Sequence, residues 1–370
     1  MQCQLPSRIT RIAVVAGVAV AVIVAAMMAA SVFQESGNKP IAAPAVSSSK
    51  NDTLQQRASI RFSQTIPLSE VKGRIDHMDV DVKHQRLFIA ALGNDSVEVI
   101  DLTSGKLLHS ISDLHEPQGV LFVPEYNRLF VSNGGDGAVR IFDADTFQLS
   151  HTANFSHDAD NMRYDASEKI VYVGYGNGGL GMINATDDSI ISTIPLDGHP
   201  ESFQLSKMGG RVDKIYANIP TSHAIAIVNA HGKSAVSTLS INAGAANYPM
   251  ALDVDNHALI VGLRSPPKLV VYDTITGREI AQVGITQDPD DIFIDQHGGK
   301  IFVSCGGGFV DVVMKNVEGN YVLSDHLPTA SGARTSLLVP SQNRLYVAAP
   351  ESTDRSAQIL VFEITDLPSQ

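Results

Sequence analysis

The chain of 370 residues has no tryptophan and only two cysteines. Two thiols make at most one disulfide, so no disulfide framework holds this fold. Cys3 and Cys305 stand on opposite sides of a long apolar run and are not expected to pair. Cys305, in SCGGG at a strand end, reads as a buried, inert thiol. No CxxCH is present, which excludes covalently attached haem, and no HExxH or His-rich cluster marks a zinc enzyme. Ser, His and Asp are too numerous for any triad to stand out. Long segments with a 3.6-residue apolar period are scarce. Basic residues are outnumbered, 27 Lys and Arg against 39 Asp and Glu, for a net charge of −12. Phosphate backbones repel such a surface, which argues against nucleic acid as a partner.

What the chain has in quantity is a repeated β unit. Residues 116–149 hold three short runs, VLFV, RLFVS and AVRIFDA, divided by Pro124 and by Asn133-Gly134-Gly135, and a weaker fourth strand follows. Short runs of Val, Ile, Leu and Phe bounded by Gly, Pro, Asn and Asp are the strand signal. Aligned on the third residue of the RLFV-like strand, the copies fall at Phe88, Phe130, Tyr172, Tyr216, Ile260, Phe302 and Tyr346. The gaps are 42, 42, 44, 44, 42 and 44 residues. A period of about 40–45 residues carrying four strands is that of a propeller blade. One blade cannot bury both faces of its sheet, whereas blades packed in a closed ring do, each buried Val, Leu, Ile or Phe contributing about 1.5–3 kcal/mol. The expected fold is therefore all-β, a seven-bladed propeller over residues 58–366. The seventh copy is short, and ASIRFSQTIPL (58–68) is a strand without a copy of its own. It is expected to supply the outer strand of the last blade and cover an edge left unpaired without it.

Ahead of the propeller, residues 1–11 carry Arg8 and Arg11 and no acid, and residues 12–33 form 22 residues without a charge. That length spans a bilayer, and the preceding basic residues orient it with the N-terminus in the cytoplasm. The run reads as a transmembrane anchor, with a cleaved signal peptide ending near Ala29-Ala30-Ser31 as the alternative. Either exports the propeller to the periplasmic or extracellular face. No Cys follows the run closely, so a lipoprotein anchor is not supported. Residues 34–57 are a polar linker bearing Pro, Ala and Ser.

RLFVSNGGDGAVRIFDADTF, LFIAALGNDSVEVIDLTSGKLLHSI and KLVVYDTITGREIAQV together resemble the YVTN-type β-propeller repeat of the YncE-like group of exported bacterial and archaeal proteins. The resemblance covers about residues 70–364. The third, fourth and sixth copies depart from its V-I-D strand, as GLGMINA, AIAIVNA and FVDVVMK. The resemblance implies the fold and an exported protein; it implies little about activity, because the repeat residues of the family are structural. The WD-repeat signature is missing, as there is no tryptophan. Asp101, Asp143 and Asp273, which recur in the repeat, are read as turn residues.

Function on a propeller sits where the blades converge. The residues just before each innermost strand align as Asp76, Gln118, Asp160, Glu201, Met250, Asp290 and Arg334, followed by His77, Gly119, Asn161, Ser202, Ala251, Asp291 and Thr335. These identities change from copy to copy, so the scaffold does not dictate them. Like charges about 4 Å apart cost roughly 4 kcal/mol at an effective dielectric near 20, so converging carboxylates require raised pKa values or a cation. One reading places Ca2+, another divalent cation or a cationic ligand on Asp76, Asp160, Glu201 and Asp290. A second makes Arg334 and His77 a clamp for an anionic group. The third leaves these as solvated rim residues. GYGNGGLG (174–181) leads into a strand, not a helix, and reads as a tight turn, not a phosphate loop. In His199-Pro200-Glu201 and Asp288-Pro289-Asp290 the proline fixes the entering loop. The resulting expectation is a monomeric, exported module that binds a small ligand or an envelope protein, with a metal-assisted hydrolase or lactonase as the competing class.

Overall fold

The computed structural model describes residues 59–365 apart from 297 and 298. The basic segment, the apolar run, the linker and Cys3 lie outside the described residues. Within them the short apolar runs become seven four-stranded antiparallel sheets. No α-helix occurs among the described residues, only single 3-10 turns, and none is long and apolar enough to cross a membrane.

In the first blade the strands run outward in the order Met78–Asp81, Arg86–Ala91, Ser96–Asp101 and Lys106–Ile111. Every residue of Arg86–Ala91 is buried. Neighbouring blades cover both faces of such a strand, which is why it reads as an unbroken apolar run and not as an alternation. The outermost strand is exposed except at Ile111. Seven core clusters each straddle two adjacent blades. One of them joins Leu87, Ile89 and Ile100 of the first blade to Tyr346, Ile359 and Val361 of the last, so the ring is closed.

The seventh blade is completed from the other end of the described chain. Ser59–Pro67 pairs antiparallel with Gln358–Thr365, with Ile60 opposite Ile364 and Ile66 opposite Ile359. This is the closing strand that the short seventh copy called for.

The turns follow side-chain chemistry. Asp101, Asp143 and Asp273 each accept backbone N–H bonds from residues two or three positions on, at 2.9 Å from Thr103, 2.8 Å from Thr146 and 2.6 Å from Thr276. Three copies that lack this aspartate keep the turn with an amide. Asn184 accepts from the Thr186 amide at 2.9 Å, Asn229 from Gly232 at 2.8 Å and Asn316 from Glu318 at 3.0 Å. GYGNGGLG is a hairpin between Ile170–Tyr175 and Gly179–Asn184. Its Gly178 has φ of 151°, and a Cβ there would lie 2.2 Å from the Leu196 carbonyl oxygen. Cys305 is buried, and burial pushes its thiol pKa up, as an inert thiol requires.

Candidate functional site at the channel mouth

The strand register fixes which residues are equivalent at the mouth. Phe88, Phe130, Tyr172, Tyr216, Phe302 and Tyr346 pair with Asp79, Leu121, Arg163, Gln204, Phe293 and Leu337 of the innermost strands. The residues three positions earlier are Asp76, Gln118, Asp160, Glu201, Asp290 and Arg334. All six line one cavity of about 280 Å³.

The fifth blade corrects the alignment. Ile260 pairs with Ala251, so the equivalent mouth residue is Tyr248 and not Met250. Met250 is buried in the core with Tyr216 and Leu259, and Ala251 lies deeper along the channel. The strand begins at Ala245 and its register shifts between Asn247 and Met250. Starting the strand at the apolar Met250 therefore placed the position two residues too far along. Tyr248 carries the Arg264 guanidinium 3.7 Å from its ring centroid, a cation–π contact.

The cavity wall divides into two parts. On one side Arg334 Nε lies 2.9 Å from Asp290 Oδ2 and its Nη1 3.1 Å from Asp288 Oδ2. Arg264 bridges the same two acids, with Nε 3.1 Å from Asp288 Oδ1 and Nη2 on Asp290 Oδ1. Two arginines and two aspartates thus neutralise one another, and Asp76 is likewise held by Arg74 at 2.6 Å. On the other side are Asp160, His199 and Glu201. Among the described residues these form the one group of three possible metal-ligating side chains, with ligand atoms within 4.8 Å of one another. His199 Nδ1 lies 2.7 Å from the Gly176 carbonyl oxygen and Nε2 lies 3.6 Å from Asp160 Oδ2.

Burial and crowding shape the ionisation. Burial foremost, with Asp160 and Asp290 adding, raises Asp76 to about 8 against the opposing charge of Arg74. Burial and then Asp160 raise Glu201 to about 7. Burial alone would lower His199, but the nearby Asp160 carboxylate and the Gly176 carbonyl outweigh it and raise the ring to about 9.

His77 and Asn161 line both this cavity and a deeper channel cavity of about 370 Å³. Asn161 Nδ2 donates to His77 Nε2 at 2.9 Å, and His77 Nδ1 lies 3.7 Å from Asp291 Oδ1. This chain of side chains runs from the one space to the other. Asp291 belongs to the deeper cavity, where burial foremost raises it to about 7 and the Ser336 amide, donating at 2.7 Å, offsets part of the rise.

Arg74, Asp158, His199 and Asp288 were not among the sequence candidates. Each stands two residues before a ring position, and the first three line the cavity. The sequence signal was that offset: a polar residue recurs two positions before the ring position in most of the copies. In blades four and six it was concealed by the proline between the two polar residues.

No protein-family model and no curated protein matches the chain. Solved structures do resemble it in shape. A chain of hydrazine synthase from Kuenenia stuttgartiensis is 16% identical with a TM-score of 0.67, the match covering 75% of this chain and 94% of that one. A chain of a mitotic checkpoint complex is 14% identical with a TM-score of 0.71, covering 91% of this chain and 99% of that one. At such identity the likeness is one of fold: the chain is a seven-bladed β-propeller.

Proposed function

We propose that the protein is an exported, YncE-like binding propeller of the cell envelope whose channel mouth holds a cation, either a divalent metal ion or a small organic amine. The observation that carries this reading is the imbalance between the two sides of the mouth. The arginines are spent on Asp76, Asp288 and Asp290, while Asp160 and Glu201 share a cavity with a histidine and no arginine or lysine ion pair among the described residues. The same pairing argues against an anion clamp at Arg334 and His77, because acids already occupy Arg334 and His77 is turned to Asn161 and Asp291.

The test is thermal unfolding of the full chain after EDTA treatment, then with calcium, manganese or spermidine added. A cation at 100 times its Kd stabilises by about 2.7 kcal/mol, which for a domain of this size raises Tm by several degrees. That rise is expected for one of these cations, and Asp160→Asn with Glu201→Gln is expected to remove it. A wild-type Tm that none of them moves defeats the reading. The competing enzyme reading, a metal-assisted hydrolase or lactonase, draws on the same three side chains beside an open cavity. Lactone hydrolysis that depends on added metal and is lost in Glu201→Gln would favour it.

A further inference from the structure

Metal-binding side chains can be recognised by what holds them in place when the metal is absent. His199 is held in such a way. Its Nδ1 faces the Gly176 carbonyl oxygen at 2.7 Å and the Asp158 carboxylate at 3.5 Å, which directs Nε2 toward Asp160 and the cavity. Ligating histidines are oriented in this way, by a carbonyl or carboxylate on the nitrogen remote from the metal. Asp160 supplies an independent sign. It is 7% exposed, it lines the cavity, and the only ion pair of its carboxylate among the described residues is the contact to His199 at 3.6 Å. A carboxylate so deeply buried is costly unless it is compensated, and no arginine or lysine ion pair does so among the described residues.

We infer that Asp160, His199 and Glu201 bind a first-row transition-metal dication of the zinc type, and that calcium is not the preferred occupant. The inference rests on the cation reading of the mouth and names the class of cation. An imidazole with two carboxylates suits zinc, iron, cobalt or nickel. Calcium asks for about six to eight oxygens, and two of the acids that would have to provide them, Asp76 and Asp290, are held by Arg74 and by Arg264 and Arg334. Ligand bonds of roughly 2.0–2.2 Å put neighbouring donor atoms about 3.4 Å apart. His199 Nε2 and Asp160 Oδ2 are already 3.6 Å apart, and small side-chain rotations bring Glu201 in from within 4.8 Å. Three protein ligands leave at least one position open toward the cavity, for water or a bound ligand. A metal–nitrogen bond forms at Nε2 in its neutral form, and from the charged ring the Nε2 proton leaves to solvent as that bond forms.

Cobalt(II) gives a readout that an ion pair cannot mimic. The full chain, stripped with chelator and dialysed, is titrated with cobalt(II) and followed by visible absorption. One equivalent is expected to bind, with d–d bands that zinc(II) abolishes by displacement and that millimolar calcium leaves unchanged. His199→Ala and Glu201→Gln are each expected to weaken binding at least about tenfold, while Asp76→Asn retains it. Glu201→Gln carries the test whether or not His199→Ala folds. Absence of saturable cobalt binding, equal binding by both variants, or displacement by equimolar calcium overturns the inference. If calcium or spermidine raises Tm while cobalt does not bind, the inference fails and the cation reading of the mouth stands.

Discussion

Ala246 has φ of 60°, in the left-handed region where a Cβ is costly. It precedes Tyr248 by two positions, as Asp158 and Asp288 precede Asp160 and Asp290, and those two aspartates also have positive φ, of 49° and 58°. The segment entering the channel therefore needs a left-handed residue in several blades, and aspartate supplies one while adding a charge beside the cavity. Alanine meets the need at a cost. Ala246→Gly is expected to stabilise the protein by about 0.5–1 kcal/mol, the relief of strain less the extra freedom of glycine in the unfolded chain. Urea denaturation of the two proteins checks this, and a lower midpoint for the glycine variant contradicts it. The same residues show how much of the site was legible. Varied polar residues at equivalent points located Asp76, Gln118, Asp160, Glu201, Asp290 and Arg334. Tyr248 was missed because the register shift inside its strand is invisible to a hydrophobic pattern, and His199 because Pro200 beside it has a sufficient structural explanation of its own.

Among elements, the inner strands were legible and the outer ones faint, for one reason. Arg86–Ala91 is covered on both faces, so its apolar run has no polar interruptions. Leu149–Asn154 buries only Ala153 and so carries little pattern. The closing strand could be found because the seventh copy lacked one, an argument from counting and not from the strand itself. Its two faces should differ sharply in energy. Ile66 is 1% exposed and packs in the cluster between the last and first blades, whereas Phe62 is 54% exposed. Ile66→Ala is expected to cost about 2–5 kcal/mol of stability, and Phe62→Ala well under half of that. Equal losses by urea denaturation would mean that the strand is held by its backbone pairing alone.

At the scale of the whole molecule, burial of acids along the axis sets the response to pH. Burial raises Asp76 to about 8, Asp291 to about 7 and Asp79 to about 6. An unfolded chain has released these protons above about pH 4. Between that pH and about 8 the folded protein binds more protons, so its stability falls as pH rises through 6 to 8. His199, raised to about 9, acts in the same direction: its contribution is complete below the unfolded value of 6.5 and is lost toward pH 9. The turn aspartates Asp101, Asp143 and Asp273 oppose this only in acid, because hydrogen bonds from the turn lower them. Metal-free full chain is therefore expected to melt at a lower temperature at pH 8.5 than at pH 6, and Asp76→Asn is expected to flatten the slope. A Tm that rises over that interval contradicts the assignment.

The pairing of Ser59–Pro67 with Gln358–Thr365 has a consequence in time. One of these strands is among the first parts of the propeller to be synthesised and the other is the last. Drawing the ends of a long chain together costs little more than for a chain half its length, since loop entropy grows only logarithmically. Synthesis order, however, cannot be circumvented. The six preceding blades have all their strands before residue 358 is made and can assemble on the way, while the first-made strand waits without a partner. A chain halted anywhere before residue 358 has an open ring with one strand unmatched, so the ring can close only after residues 358–365 have left the ribosome.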